Sequence, residues 1–415
     1  MRHAVRFAAT VITCAVIATV APGVPSAAAP GQADVRTAMD KAVETGTPGV
    51  LAAVVDRTGR WSAASGVGEL HTGREPRQRG RFRIASVSKT FTATLVLQLV
   101  EEGKIGLDDP VAGYLPGLLP YPEPITVRQL LRHTSGLPRD LPPELGWQSL
   151  PEVDTERFVS LTPEKVVRSA TTGTPLRFEP GTSWAYSNIG YTVLAMLVEK
   201  TTRQPIEEVL ADRILRPLRL SDTTLVRDQP LLTRAAGHGY EQLYQPPRGL
   251  TDVTVYNYSR YFGSGSMIST AQDVNRFFRA LLRGRLLSAD TLAQMKRTVP
   301  ALDGNGEYAG FDYGLGLARL PLPPCGEGAF VWGHDGSLPG FGTYSLHDES
   351  ASTQITTMGT RNLTAPIDSL VARFQVAAAA FCELETTTTS RTTQLATTLP
   401  RLLALGPVSS RRSAL

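Results

Sequence analysis

Ser86-Val87-Ser88-Lys89 runs without a break into Thr90-Phe91-Thr92-Ala93-Thr94-Leu95-Val96-Leu97-Gln98-Leu99-Val100. The first four residues place a hydroxyl and an amine one helical turn apart, because positions i and i+3 share a helix face. The apolar residues from Phe91 to Val100 predict an amphipathic helix over Thr90 to Glu102, which Gly103 stops. Ser86 then stands at a helix N-terminus, where free N–H groups and the positive dipole end favour a developing negative charge. A lysine beside it, desolvated and neutral, can take the hydroxyl proton. Alone, the tetrad reads as an N-cap serine followed by a surface lysine. Its companions along the chain change that reading.

The chain of 415 residues is long enough for one large domain or two ordinary ones, and 42% hydrophobic with 19% charged residues describes a globular protein with a core. Arg2, His3 and Arg6 precede an apolar stretch from Phe7 to Val20, and Ser26-Ala27-Ala28-Ala29 follows. This is the pattern of a secretory signal peptide over residues 1–29, which predicts an extracellular product. No later stretch is long and apolar enough to span a bilayer, so no stable membrane insertion is expected. Cys14 leaves with the signal. Cys325 and Cys382 remain as an even pair in an oxidising compartment, which predicts one disulfide between them. Neither has His or Cys companions at metal-ligand spacing. A net charge of +4 is too mild to imply nucleic acid.

Periodicity predicts a helix over Val35 to Glu44 and strands over Gly49 to Val55 and Arg60 to Ser65. Helices are expected at Val127 to His133, Glu164 to Ala170, Gly190 to Thr201, Ile206 to Leu215, Ala271 to Arg283 and Thr291 to Lys296. Strand signals return at Tyr313 to Leu320, Phe330 to Trp332, Gly342 to Leu346 and Gln354 to Met358, before a last apolar helix from Ile367 to Phe381. Strands at both ends with helices between them predict an α/β (α+β) fold: an antiparallel sheet flanked by helices, built from both termini, with an inserted mostly helical lobe. The expected boundaries are 30–80 with 260–384 for the sheet domain and 81–259 for the lobe. The threonine-rich tail over 385–415 is expected to be disordered or removed.

Two further motifs complete the constellation. Tyr186-Ser187-Asn188 follows a Pro180-Gly181 turn, and Gly333-His334-Asp335-Gly336 follows the strand ending at Trp332. Nucleophile, amine, phenol, carboxamide and imidazole together suit acyl transfer. Neither a Gly-x-Ser-x-Gly elbow nor a His-Glu-x-x-His stretch is present, so an α/β-hydrolase or a zincin is unsupported.

In motif order and spacing the chain resembles the penicillin-recognising serine hydrolases, the branch with class C β-lactamases and serine D-alanyl-D-alanine carboxypeptidases, and most of all secreted actinomycete carboxypeptidases. The likeness runs from about Val35 to Cys382. It also rests on Leu107-Asp108-Asp109-Pro110, Ile125 to Leu131, His133-Thr134-Ser135-Gly136-Leu137, Tyr313-Gly314-Leu315-Gly316-Leu317 and the cysteine pair. The resemblance implies a β-lactamase/transpeptidase-like fold. It implies Ser86 as nucleophile, Lys89 and Tyr186 as managers of its proton, and Asn188, His334, Asp335, Gly336 and Ser337 as substrate-binding residues. Backbone N–H groups of Ser86 and Ser337 would form the oxyanion hole. It further implies no cofactor, a monomer, and peptidoglycan stem peptides and β-lactams as ligands. The expected activity is D-alanyl-D-alanine carboxypeptidase, with a class C-like β-lactamase, an esterase or a D-amino-acid peptidase or amidase as the alternative. A catalytically silent binding protein has no need of Ser86, Lys89 and Tyr186 together.

Two residues depart from the carboxypeptidase pattern. Those relatives carry Thr where this chain has Asp335, whose charge would repel a substrate carboxylate. They also carry Arg directly after the Gly-Leu-Gly-Leu stretch; here Ala318 stands there and Arg319 comes one residue later, on the opposite face of a strand. Trp147, Tyr258 and Tyr261 are candidates for an aromatic wall. His133 reads as architectural, and His71, His238 and His347 receive no role.

Overall fold

In the computed structural model, residues 31–142, 149–246 and 248–382 are described. The expected signal segment, Trp147 and the tail from 385 lie outside them. Strands Gly49–Asp56 (β1) and Gly59–Gly66 (β2) form an antiparallel hairpin whose turn ends at Gly59, φ 131°. Six more strands come from the other end of the chain: Val299–Leu302 (β3), Tyr308–Tyr313 (β4), Ala318–Pro321 (β5), Phe330–Leu338 (β6), Phe341–His347 (β7) and Gln354–Gly359 (β8). They form one sheet in the order β2-β1-β8-β7-β6-β5-β4-β3, antiparallel throughout. The pairing of β1 with β8 is what joins the two ends of the chain.

Helices cover both faces. The main ones are Gln32–Glu44 (α1), Ser88–Glu101 (α2), Val127–Arg132 (α3), Pro163–Thr171 (α4), Asn188–Thr202 (α5), Ala271–Leu282 (α6) and Ile367–Ala378 (α7). Side chains alternate across a strand, so in β1 Val50, Ala52 and Val54 pack under α1 and α7, while Leu51 and Ala53 join the core shared with α2 and α6. A strand buried on both faces reads as the unbroken apolar run seen at Gly49 to Val55.

The structure corrects four expectations. The helix after Ser86 is not amphipathic: every residue of α2 from Ser88 to Leu97 is buried. Its threonines are satisfied by backbone carbonyls, Thr90 by Gly316 at 2.8 Å and Thr92 by Gly263 at 2.7 Å, so positions that read as solvent-facing are core. The run Tyr313 to Leu320 is two strands, not one, separated by a turn in which Gly316 takes φ 79°; a Cβ there would stand 2.3 Å from Ala93 of α2. The His334 motif lies inside β6 rather than after it. Finally, Ile206 to Leu215 is not one α-helix: it is α-helical over Ile206–Leu210 and then makes a π-helical turn, Ala211–Leu215.

Cys325, just before β6, is bonded to Cys382, just beyond α7, at a Cα separation of 5.4 Å and across 57 residues. The bond pins α7 to the sheet's C-terminal half. Closing a loop of this length typically stabilises a fold by about 2–4 kcal/mol. Cys325→Ser with Cys382→Ser should lose that much in denaturant unfolding, and reductant should destabilise only the wild type.

Candidate active site

The turn before α2 holds Ala85 at φ 51°, a left-handed conformation that costs a residue with a side chain energy. Ser88 Oγ donates to Ala85 O at 2.6 Å and accepts from Met267 N at 3.2 Å, holding the turn in place. Strand β6 lies directly against it. A Cβ on Gly336 would come within 2.5 Å of Ile84 O, so only glycine lets the strand approach this closely. The result is that Ser86 faces a cavity that opens to solvent.

Lys89 is fully buried, and its Nζ has three neighbours: Ser86 Oγ at 3.2 Å, Asn188 Oδ1 at 2.6 Å and Ser264 O at 2.8 Å. Burial drives its pKa well below the usual lysine value, against the weaker pull of Asp140. A neutral amine has two hydrogens and one lone pair. The two carbonyl oxygens can only accept, so they take the hydrogens, and the lone pair is left for the Ser86 hydroxyl. The amide of Asn188 is oriented in turn by Asp140, whose Oδ1 accepts from Nδ2 at 2.6 Å, and Asp140 accepts from Arg139 Nε at 3.2 Å.

The Tyr186 phenol is held neutral. Burial raises its pKa well above the usual value and Asp335 adds to that, while a hydrogen bond with Ser86 opposes the rise. The His133 ring lies 4.3 Å from the Tyr186 ring. His133 closes α3 at φ 64°, and its Nδ1 accepts from Ser187 N at 3.1 Å. This histidine shapes the wall that carries Tyr186.

Along β6 successive residues address different surroundings. His334 Nδ1 stands 2.6 Å from the carbonyl oxygen of Asp335, which can only accept, so Nδ1 carries the hydrogen and Nε2 takes the Tyr313 hydroxyl at 2.9 Å. Burial, with Lys89 nearby, pushes its pKa down to about 3, so the ring is neutral. The Asp335 carboxylate lines the same cavity, its Oδ1 3.6 Å from His334 Nδ1. Its side chain keeps 47% of its surface accessible, but that surface opens into the cavity, and the enclosing protein raises its pKa to about 6. Ser337 Oγ accepts from Asn362 Nδ2 at 2.5 Å, and Asn362 Oδ1 accepts from the buried Arg373 at 2.8 Å. With Asn362 as donor, the Ser337 hydroxyl keeps its own hydrogen for a ligand.

Ser86, Tyr186, Asn188, His334, Asp335 and Ser337 therefore line one cavity, with Lys89 beneath them. Gly336 permits the packing rather than contacting a ligand. Tyr261 lines the wall; Tyr258 does not, because it is buried with its hydroxyl on Pro339 O at 3.1 Å. Arg319 faces away, paired with Asp312 at 3.4 Å and stacked on Phe330. Arg139, Asp140, Ser264, Asn362 and Arg373 escaped the sequence reading. The first two follow the His133 motif at once and carried that local signal; the others carried none. Among the described residues no group of three or more His, Cys, Asp and Glu is placed to hold a metal ion.

A carboxyl whose pKa is raised from 3.8 to about 6 on folding binds its proton more tightly in the folded state, so stability falls as pH rises through that window. Asp335→Asn should therefore melt above the wild type at pH 7, with the difference gone below about pH 4; thermal unfolding against pH checks this.

Residues 32–380 match the family model described as Beta-lactamase. A penicillin-binding protein of Bacillus subtilis is 30% identical over 292 residues, 68% of this chain but only 61% of that protein, so the chain spans about three fifths of that relative. Penicillin-binding protein 4 of Amycolatopsis lactamdurans is 31% identical over 72% of this chain and 76% of its own length. A D-stereospecific amidohydrolase from Streptomyces superimposes with a TM-score of 0.73, at 31% identity, over 84% of this chain and 98% of that one. With the family model covering nearly all described residues, this chain belongs to the beta-lactamase family of serine hydrolases.

Proposed function

We propose that this protein is an exported hydrolase that cleaves an amide or ester bond beside a free amine, in the manner of a D-amino-acid amidase or D-peptidase, through an acyl-enzyme on Ser86. Lys89, as a neutral amine, takes the Ser86 proton while Oγ bonds to the substrate carbonyl carbon. Backbone N–H groups of Ser86 and Ser337 receive the oxyanion. As the C–N bond breaks, the Tyr186 phenol gives its proton to the leaving amine and is reprotonated from Lys89. Water then cleaves the Ser86 ester, releasing the acid and returning the proton to Oγ. Asn188 holds Lys89 by its Oδ1 and retains one Nδ2 hydrogen for the substrate carbonyl. The disulfide supports export to an oxidising compartment.

One observation carries the choice of substrate. Asp335 puts a carboxylate into the cavity, where the related carboxypeptidases hold a carboxylate of the substrate. The histidine beside it is neutral, and Arg319 is turned to the other face. A cationic amine fits this environment and an anion does not. The likeness to a D-stereospecific amidohydrolase supports the same reading. Arg139 favours a second one: its guanidinium lines the cavity, and its buried Nη2 has no hydrogen-bond partner among the described residues. Held there, a terminal carboxylate would make this a D-alanyl-D-alanine carboxypeptidase acting on peptidoglycan stem peptides. Under either reading Ser86 is the residue a β-lactam would acylate.

Ammonia release from D-amino-acid amides, measured beside D-alanine release from an N-acyl peptide ending in D-Ala-D-Ala, separates the two. Amide cleavage is expected to dominate, and Ser86→Ala should lose at least about a thousandfold in kcat. KM for the amide should rise as pH falls through about 6, because protonated Asp335 no longer attracts an ammonium. Asp335→Asn should raise KM about tenfold or more at pH 7 and flatten that dependence. D-Alanine release alone would overturn the amine reading in favour of the carboxypeptidase.

A further inference from the structure

A second cleft opens on the α6 face of the sheet, and no residue lines both it and the cavity of Ser86. Its walls come from the β1–β2 hairpin, the segment at Gln78 and Arg79, and α6. Register sets the hairpin's share. Ser62 stands opposite Ala53 and Arg60 opposite Val55, so alternation puts both side chains on the side that Ala53 faces. The Gln272 amide fastens the three parts together, because its Nε2 donates to Ser62 Oγ at 2.9 Å and to Gln78 O at 2.8 Å.

Charge distinguishes this cleft. Arg60, Arg79, Arg276 and Arg279 line it against two carboxylates, Asp222 and Asp273. Both carboxylates are already engaged: Asp222 by Arg234 at 2.6 Å, and Asp273 by Arg276 at 2.5 Å and the Thr223 hydroxyl at 2.9 Å. Arg60, Arg79 and Arg279 form no salt bridge among the described residues. Arg276 and Arg279 on α6 lead to Arg283 at its C-terminal end, a row about 10 Å long at spacings of three and four residues. Burial, with Arg283 and Arg60 nearby, lowers the pKa of Arg279. Like charges are thus gathered along one recess, an arrangement that disfavours the helix carrying it unless anions neutralise it.

We propose that this cleft binds a flexible chain of phosphate groups that carries no bases. Guanidinium groups in a row meet successive phosphates, and each can hold one through two N–H groups. Trp61 is the one aromatic residue of the lining; it stands opposite Val54 and packs toward the other face of the sheet. The cleft therefore offers no ring on which bases could stack.

Binding of a fluorescent inorganic polyphosphate about ten units long, followed by anisotropy at several salt concentrations, tests this. Wild type should bind it more tightly than an oligothymidylate of equal length. Arg60→Gln, Arg79→Gln and Arg279→Gln combined should weaken binding at least about tenfold and make the salt slope shallower by about two. Lys165→Gln, Arg177→Gln and Lys200→Gln remove the same charge from α4, α5 and the stretch between them, and should change affinity by less than about twofold. Thermal unfolding establishes that each variant is folded. Should the cleft variant melt early, Arg60→Gln with Arg79→Gln, both at exposed positions, carries the test with about half the loss of slope. Absence of binding by wild type at low salt, equal losses in the two triple variants, or equal affinity for the oligothymidylate would each overturn the proposal. The readout does not depend on turnover at Ser86.

Discussion

An amine buried without a carboxylate bonded to it is the constraint on which the rest of this site depends. Two carbonyl oxygens and one hydroxyl surround Lys89 Nζ. Charging that amine would place a cation where neither water nor an ionised partner touches it, so the enclosure itself keeps the lone pair available. Every nearby element serves that enclosure. Helix α2 is buried on all sides, α5 begins at Asn188, and the segment before the strand at Met267–Ser269 presents the Ser264 carbonyl. A single hydrogen bond from Asn188 to Asp140 decides which end of the amide faces the amine.

A second tier of polar groups holds the opposite wall. Glu241 is buried, and its carboxylate accepts from Gly340 N at 2.7 Å, Leu363 N at 2.8 Å, Thr364 N at 2.8 Å and the Thr364 hydroxyl at 2.6 Å. It ties the β6–β7 turn to the segment after β8, from which Asn362 reaches Ser337. Arg373 meets the same asparagine from α7. Ser337 is therefore positioned from three separate parts of the chain. A charged group satisfied this fully is costly to disturb, because removing one partner strands the others away from water.

Neighbouring residues of one strand meet different surroundings. His334 turns to Tyr313 and stays neutral, while Asp335 opens onto the apolar face beneath α7. The alternation of a β-strand thus gives the imidazole and the carboxylate different neighbours, while the carboxylate stays close enough to help raise the pKa of the Tyr186 phenol.

Local spacing made much of this legible. The hydroxyl and amine of Ser86 and Lys89 meet because i and i+3 share a helix face, and that holds wherever the helix is packed. The same is true of the β1–β2 hairpin, of the helix beginning at Asn188 and of the order of the three motifs. Burial of α2 was not legible, because its threonines look solvent-facing until the carbonyls of Gly263 and Gly316 are brought to them. Nor was the break at Gly316, which is required by contact with Ala93, more than two hundred residues earlier. The sequence by itself determined the reactive groups and the strands and helices that carry them. Tertiary structure decided the charge state of Lys89, the surroundings of Asp335 and the recruitment of Asn362 and Arg373, because each depends on desolvation or register between segments far apart in the chain.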